Sequence, residues 1–122
     1  MHTTGGLVAI VEDDASMRKS IERLLQASHY QTVAFASAEA FLQSADVSDA
    51  TGLVLDIHLG GMSGIELRRS LAAVHSTLPV VFITAHDDMK TQAEAMALGC
   101  VDFLLKPFDS KRLIGALERG KP

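Results

Sequence analysis

The chain has 122 residues, of which 48% are apolar and 21% charged, a composition typical of one folded domain rather than of a disordered or fibrous chain. Its net charge of −4, with no basic block, argues against nucleic-acid binding by the domain itself, and its single cysteine excludes an internal disulfide. No apolar run approaches the ~18 residues of a membrane span and no charged-then-apolar leader is present, so we expect a cytoplasmic protein without membrane contact.

Short apolar runs alternate along the chain with stretches of helical periodicity. The runs predict strands at residues 7–11, 32–35, 53–55, 80–83 and 101–105. Several are continuous rather than alternating, as expected of strands that are covered on both faces. Helices are predicted at 15–27, 37–44, from 63, at 87–98 and from 109. Strict βα alternation predicts an α/β fold, a doubly wound, five-stranded parallel sheet with right-handed crossovers.

Each predicted helix has an apolar face and a recognisable end. Ser63 and Glu66 form a capping-box pattern, Asp109 is placed to cap the last helix, and Gly99 is placed to end the fourth. The residues predicted to face inward are Met17, Ile21, Leu24 and Leu25 in the first helix, Phe41 and Leu42 in the second, Leu67, Leu71 and Val74 in the third, Met89, Ala93, Met96 and Ala97 in the fourth, and Leu113, Ile114 and Leu117 in the fifth.

Charged side chains follow three of the predicted strands at the point where each strand ends. The acids Glu12-Asp13-Asp14 end the first run, Asp56 ends the third and opens onto a glycine-rich loop, and Lys106 ends the fifth. Ligands of open α/β sheets bind at these carboxyl ends. Carboxylates about 4 Å apart repel by roughly 4 kcal/mol at an effective dielectric near 20, and Mg²⁺ prefers hard oxygen ligands. The pattern therefore predicts a divalent-metal and phosphoryl site.

Each of these residues also has an ordinary structural interpretation. The acidic triplet is placed to cap the next helix, where carboxylates suit the helix dipole. Thr84, which ends the fourth run, is either a β-branched residue closing a strand or a hydroxyl donor to a phosphoryl oxygen. Lys106 read alone is a surface lysine. The agreement of acids and lysine at matching strand ends favours the functional interpretation.

Five segments in order resemble the receiver domain of two-component response regulators, over essentially the full length of the chain. The segments are Ile10-Val11-Glu12-Asp13-Asp14, Leu53-Val54-Leu55-Asp56, Met62-Ser63-Gly64-Ile65-Glu66-Leu67, Phe82-Ile83-Thr84-Ala85 and Phe103-Leu104-Leu105-Lys106-Pro107-Phe108. The resemblance implies a flavodoxin-like sheet with strand order 2-1-3-4-5. It also implies that residues 1–122 are a single receiver domain and that any output domain lies outside this chain.

The resemblance assigns a role to each residue of the site. Asp56 is the implied phosphoacceptor, with Thr84 and Lys106 as the hydroxyl and the lysine that assist it. Glu12, Asp13, Asp56 and the backbone carbonyl of His58 are the implied ligands of Mg²⁺, for which Mn²⁺ can substitute. The position of Arg18, five residues after Asp13, fixes Asp13 as the second acid and leaves Asp14 outside the ligand set. Thr84 and Phe103 are the implied switch.

The implied activity is signalling rather than enzymatic turnover. Asp56 accepts a phosphoryl group from a sensor histidine kinase, and the domain catalyses only its own phosphorylation and dephosphorylation. The acyl phosphate then switches an output surface, with homodimerisation through the fourth helix and fifth strand. Residues 37–42 and 95–99 are most similar to receivers of nitrogen-fixation-type transcription regulators, in which DNA is contacted only through an output domain.

Two features depart from the family pattern, and two histidines stand near the site. Gly60 occupies the place of a usual proline, which raises the conformational freedom of the loop after Asp56. Phe103 replaces the commoner tyrosine and has no hydroxyl. His58 and His86 are predicted at the rim, either without a role or as gates for the attacking water.

Three other classes of protein share parts of this pattern. A haloacid-dehalogenase-type phosphohydrolase needs a second aspartate two residues after the nucleophile, where this chain has His58. A flavodoxin-like flavin carrier needs a phosphate loop where this chain has acids. A stand-alone receiver or a phosphorylation-independent docking module is the closest alternative, although such docking modules normally lack one of the site residues.

Overall fold

The computed structural model describes residues 6–44, 47–74 and 76–121. The strands form one parallel sheet in the flavodoxin-like order β2-β1-β3-β4-β5, which confirms the predicted doubly wound fold. The strands are β1 (Leu7–Val11), β2 (Gln31–Phe35), β3 (Ala50–Asp56), β4 (Val80–Thr84) and β5 (Asp102–Leu105). The helices are α1 (Ala15–Ala27), α2 (Ala38–Gln43), α3 (Gly64–Ala73), α4 (Met89–Ala97) and α5 (Ser110–Gly120).

Strand β3 is longer than the sequence predicts. It begins at Ala50 and pairs with β1 from Leu7 onward, with an irregularity in register between Leu7 and Val8. The weakly apolar start of β3 includes Gly52, where a Cβ would stand 3.1 Å from the Leu117 side chain. Backbone pairing and close packing by α5 therefore extend the strand beyond the apolar run that the sequence displays.

The core lies in two layers, one on each face of the sheet. Alternate residues of the central strands point to opposite faces, as the pleat requires. Ala9 and Leu55 pack on the face covered by α2, α3 and α4, whereas Ile10 and Val54 pack on the face covered by α1 and α5. Burial on both faces explains why the strands are continuous apolar runs.

The predicted inward faces of α1 and α5 are confirmed. Those of α2 and α3 are partly wrong, and that of α4 is wrong at every predicted residue. The residues predicted to be inward but found exposed are Leu42, Val74, Met89, Ala93, Met96 and Ala97. In α4 the buried residue is Ala95, and the half-buried Leu98 packs beside it. Alanine and methionine recur around the whole of α4, so apolar spacing does not distinguish its faces.

The helix ends follow the predicted caps closely. Ser63 and Glu66 form both bonds of a capping box, and Asp109 caps α5 through the Lys111 N–H. The cap of α4 is Asp88, so that helix starts at Met89 rather than at residue 87. Gly99 follows the end of α4 with φ +84°, the left-handed conformation that glycine adopts at low cost.

Candidate functional site

The end of β1 directs one acid into the protein and one outward. Glu12 is fully buried, while Asp13 is exposed. Arg18 of α1 donates a hydrogen bond of 2.9 Å to the Glu12 carbonyl, and the Asp14 N–H donates one of 3.0 Å to the Glu12 carboxylate. The Asp14 side chain turns away and caps α1. The start of α1 therefore holds the β1 end in one conformation.

Asp56 is the last residue of β3 and only 4% exposed. Its Oδ1 accepts a hydrogen bond of 3.1 Å from the His58 N–H. Helix α3 begins directly against it, since a Cβ on Gly64 would stand 2.3 Å from the Asp56 carbonyl oxygen. The sheet and the helix start together fix the position of this carboxylate.

Lys106 joins the two buried carboxylates. Its Nζ lies 2.6 Å from Glu12 Oε1 and 3.2 Å from Asp56 Oδ2. Burial raises the pKa of Glu12 to about 7, although the hydrogen bond from Lys106 acts in the opposite direction. Burial would lower the pKa of Lys106, but the hydrogen bond to Glu12 and the charge of Asp56 raise it. Lys106 is therefore the counter-charge of the pocket and stays protonated.

Three carboxylates converge closely enough to share a cation. One oxygen from each of Glu12, Asp13 and Asp56 lies within 4.8 Å of the other two. Hard, anionic oxygens from two neighbouring strands are the donor set that Mg²⁺ takes from proteins, with water completing the shell. The residues present fit a divalent cation of this kind.

Thr84 and Phe103 lie on adjacent strands beside this pocket. Thr84 ends β4 and is fully buried, and its Oγ1 accepts a hydrogen bond of 3.1 Å from the His86 N–H. Phe103 is 7% exposed and packs in the core layer that includes Ala95 of α4. Both residues therefore connect the site to the α4 side of the sheet, and their roles as a switch stay predictions.

The two rim histidines contact each other. The ring centroids of His58 and His86 are 4.2 Å apart, with ring planes at 61°, and both residues are exposed. Their pairing was not predicted, although each lies two residues beyond the end of one of two adjacent strands, β3 and β4. Sequence reasoning also did not predict that Lys106 bonds Glu12 at a shorter distance than Asp56.

No helix in the described part of the chain is both long enough and apolar enough to cross a membrane. The site occupies the carboxyl ends of β1, β3, β4 and β5, and its acidic cluster lies at β1 and β3, between which the strand order reverses. The fold and the site together define a doubly wound α/β protein with one acidic pocket at its switch point.

The chain belongs to the response regulator receiver domain family, whose family model matches residues 8–118. It is 41% identical to nodulation protein W of Bradyrhizobium diazoefficiens, covering 94% of this chain and 51% of that protein. It is also 41% identical to the transcriptional regulatory protein FixJ of Rhizobium meliloti, covering 92% of this chain and 55% of that protein. The chain thus spans about half the length of these curated relatives.

Solved structures agree with this assignment. The crystal structure of FixJ-N is 39% identical and has a TM-score of 0.85, covering 93% of this chain and 91% of that one. The chain is therefore a signalling module of two-component systems, and receiver domains of this family act with histidine kinases and bind Mg²⁺ at an acidic pocket.

Proposed function

We propose that this domain is a phosphoacceptor in which Asp56 receives a phosphoryl group from a phosphohistidine of a sensor kinase. The observation that carries the proposal is the environment of Asp56. It is a buried carboxylate at a strand end, 3.2 Å from a lysine ammonium and clustered with Glu12 and Asp13. A buried acid with a cation and two further acids beside it is costly as structure alone.

The transfer requires a nucleophile in line with the bond that breaks. An Asp56 oxygen forms a bond to phosphorus while the phosphorus–nitrogen bond to the kinase imidazole breaks, through a loose transition state. Lys106, already 3.2 Å from Asp56, is placed to neutralise the phosphoryl oxygens. Mg²⁺, when held by Glu12, Asp13, Asp56 and the His58 carbonyl, supplies further charge neutralisation, and Mn²⁺ suits the same oxygens.

The product changes the pocket by adding negative charge where Lys106 now balances two carboxylates. In this proposal Lys106 and the Thr84 hydroxyl turn to the phosphoryl oxygens, and Phe103 takes the space that Thr84 leaves. The acyl phosphate is thereby linked to the face formed by α4 and β5.

That face is the proposed homodimer surface. Met89 is 83% exposed, Met96 is 53% exposed and Leu105 is 40% exposed. Helix α4 packs beside β5, so these apolar side chains belong to neighbouring elements. Large exposed apolar side chains on adjacent elements favour association with a partner surface.

The output of the switch is proposed from the relatives. Several of them carry the name transcriptional regulatory protein, and this chain matches about half their length. We propose that residues 1–122 form one cytoplasmic receiver domain, that its signal controls transcription, and that DNA contact is made by an output domain rather than by this one.

The decisive experiment is phosphorylation by a small donor. Incubation with acetyl phosphate and Mg²⁺, followed by intact mass measurement, is expected to add one phosphoryl group to the parent and none to Asp56→Asn. Asp14→Asn is the matched control, because Asp14 is a neighbouring acid that only caps α1. A phosphoryl group on Asp56→Asn, or none on the parent, would contradict the proposal.

A further inference from the structure

The loop of residues 57–63, here called the β3–α3 loop, begins next to Asp56 and contains two glycines. Its base is closed by a hydrogen bond of 3.0 Å from the Gly64 N–H to the Ile57 carbonyl. Leu59 packs against the core, but the next residue, Gly60, lies in open space, where a Cβ would find no heavy atom within 4 Å. Glycine here gives the loop more conformational freedom than other residues would.

A side chain from α2 holds the far end of this loop. The Glu39 carboxylate accepts a hydrogen bond of 2.9 Å from the Met62 N–H. The same carboxylate lies beside Gly61, where φ is +75° and a Cβ would stand 2.7 Å from Glu39 Oε2. A glycine at position 61 thus permits both the left-handed turn and the close approach of Glu39.

Helix α2 is a firm base for this contact. The residues Ala38 and Phe41 on either side of Glu39 are buried in the core, and Ser37 caps the helix. Glu39 itself is exposed, and the hydrogen bond from Met62 lowers the pKa of its carboxyl group. The carboxylate is therefore ionised at neutral pH and makes a charge-assisted bond, which is stronger than a bond between neutral groups.

We propose that Glu39 is a positioning residue for the phosphorylation site. By tying Met62 to α2, it restricts the glycine-rich loop and so holds His58, four residues earlier, whose N–H donates to Asp56 Oδ1 and whose carbonyl is the proposed metal ligand. The bond takes over the restriction that a proline at position 60 would provide. The inference rests on the proposed function for the metal-binding role of the His58 carbonyl, whereas the Glu39–Met62 bond does not depend on that role.

The test compares Glu39→Ala with Glu39→Gln, whose amide oxygen can still accept the Met62 N–H. Amide hydrogen exchange reports the bond directly, and calorimetric titration with Mg²⁺ reports the pocket. In Glu39→Ala we expect Met62 exchange to accelerate about tenfold and the Mg²⁺ dissociation constant to rise about fivefold. In Glu39→Gln, whose neutral oxygen makes a weaker bond than the carboxylate, we expect both quantities to recover to values between those of Glu39→Ala and the parent.

A second pair of variants tests the same bond from the loop side. Gly61→Ala forces a Cβ against Glu39 in a left-handed turn, so it is expected to weaken Mg²⁺ binding as Glu39→Ala does. Gly60→Ala meets open space and is the matched control, expected to bind Mg²⁺ at least as tightly as the parent.

Each outcome decides the inference. Unchanged Met62 exchange in Glu39→Ala would show that the bond does not hold the loop. Faster exchange with unchanged Mg²⁺ affinity would show that the loop does not position the pocket, and failure of Glu39→Gln to recover either quantity would contradict the role of the acceptor oxygen. These outcomes are distinguishable from failure of the proposed function, in which the parent itself would not bind Mg²⁺ or accept a phosphoryl group.

Discussion

Replacing Lys106 with methionine is expected to destabilise the domain, and to do so more strongly at alkaline than at acidic pH. The lysine Nζ lies 2.6 Å from the Glu12 carboxylate and 3.2 Å from that of Asp56. At an effective dielectric near 20 these two separations correspond to attractions of roughly 6 and 5 kcal/mol. Lost hydration and carboxylate repulsion offset much of this, so we expect a net loss of about 3–5 kcal/mol at pH 8.

The pH dependence follows from Glu12. Burial already raises its pKa to about 7 in the folded protein, against an ordinary value of 4.5. Loss of the lysine raises it further, so the folded state binds a proton that the unfolded state has released. The folded parent also keeps this proton up to about pH 7, so the stabilities of parent and variant diverge only above that pH. At about 1.4 kcal/mol per pH unit, the loss of stability in Lys106→Met should be about 1.4 kcal/mol smaller at pH 5 than at pH 8.

The assay is thermal unfolding at both pH values with and without Mg²⁺. A fall in melting temperature of about 12–20 °C is expected at pH 8. Saturating Mg²⁺ should restore more stability to Lys106→Met than it adds to the parent, because a cation among the carboxylates replaces the lost ammonium. The same loss at both pH values, or equal Mg²⁺ effects on parent and variant, would refute the counter-charge role of Lys106.

Three further outcomes follow from the packing of Gly64, from the ion pairs that Arg112 and Arg119 form with Asp102 of β5, and from the proposed α4–β5 surface. Gly64→Ala should lose about 3 kcal/mol of unfolding free energy in urea titrations, because the new Cβ would stand 2.3 Å from the Asp56 carbonyl oxygen. A loss as small as that of Gly60→Ala would contradict this packing. Burial alone would raise the pKa of Asp102, but hydrogen bonds from Arg112, Arg119 and the Phe103 N–H hold this pKa below its ordinary value of 3.8. The ionised Asp102 therefore stabilises the folded state above pH 3.8, and this contribution is lost as the pH falls through the lowered pKa. Asp102→Asn should therefore flatten the acid limb of the stability curve below about pH 4, and an unaltered limb would place the acid sensitivity elsewhere. Sedimentation should show that a phosphate mimic strengthens homodimerisation of the parent by about one to two decades and leaves Phe103→Ala unaffected; equal association in all states would mean that α4 and β5 are not the dimer surface.

Most of the fold is readable from the sequence because each strand contains a short apolar run, and three of these runs end at charged residues. The carboxyl-end position of Glu12, Asp56 and Lys106 follows from the same rule. The faces of α4 are not readable, since Met96 and Ala95 are both apolar and only tertiary packing decides which is buried. The apolar pattern of the sequence therefore predicts where the strands end, and so where the site lies, better than it predicts which helix faces are buried.

The contacts that refine the site lie beyond local patterns. Lys106 and Glu12 are 94 positions apart, and the strength of their bond depends on burial that spacing does not report. Glu39 joins α2 to the β3–α3 loop across 23 positions, and no local motif marks it. The signal available in the sequence is Gly61, which precedes the bonded Met62 and adopts a positive φ beside the Glu39 carboxylate.

The one-sided placement of the proposed site has a practical use. The proposed phosphoacceptor, metal ligands and lysine lie at or just beyond the carboxyl ends of their strands, while exposed Ser48 and Thr77 lie toward the opposite edge, before β3 and β4. A dye attached through Ser48→Cys, in a Cys100→Ala background that removes the native thiol, would sit far from the pocket. Such a labelled domain could report binding of a kinase or a second copy by fluorescence anisotropy without a dye near the proposed phosphoacceptor.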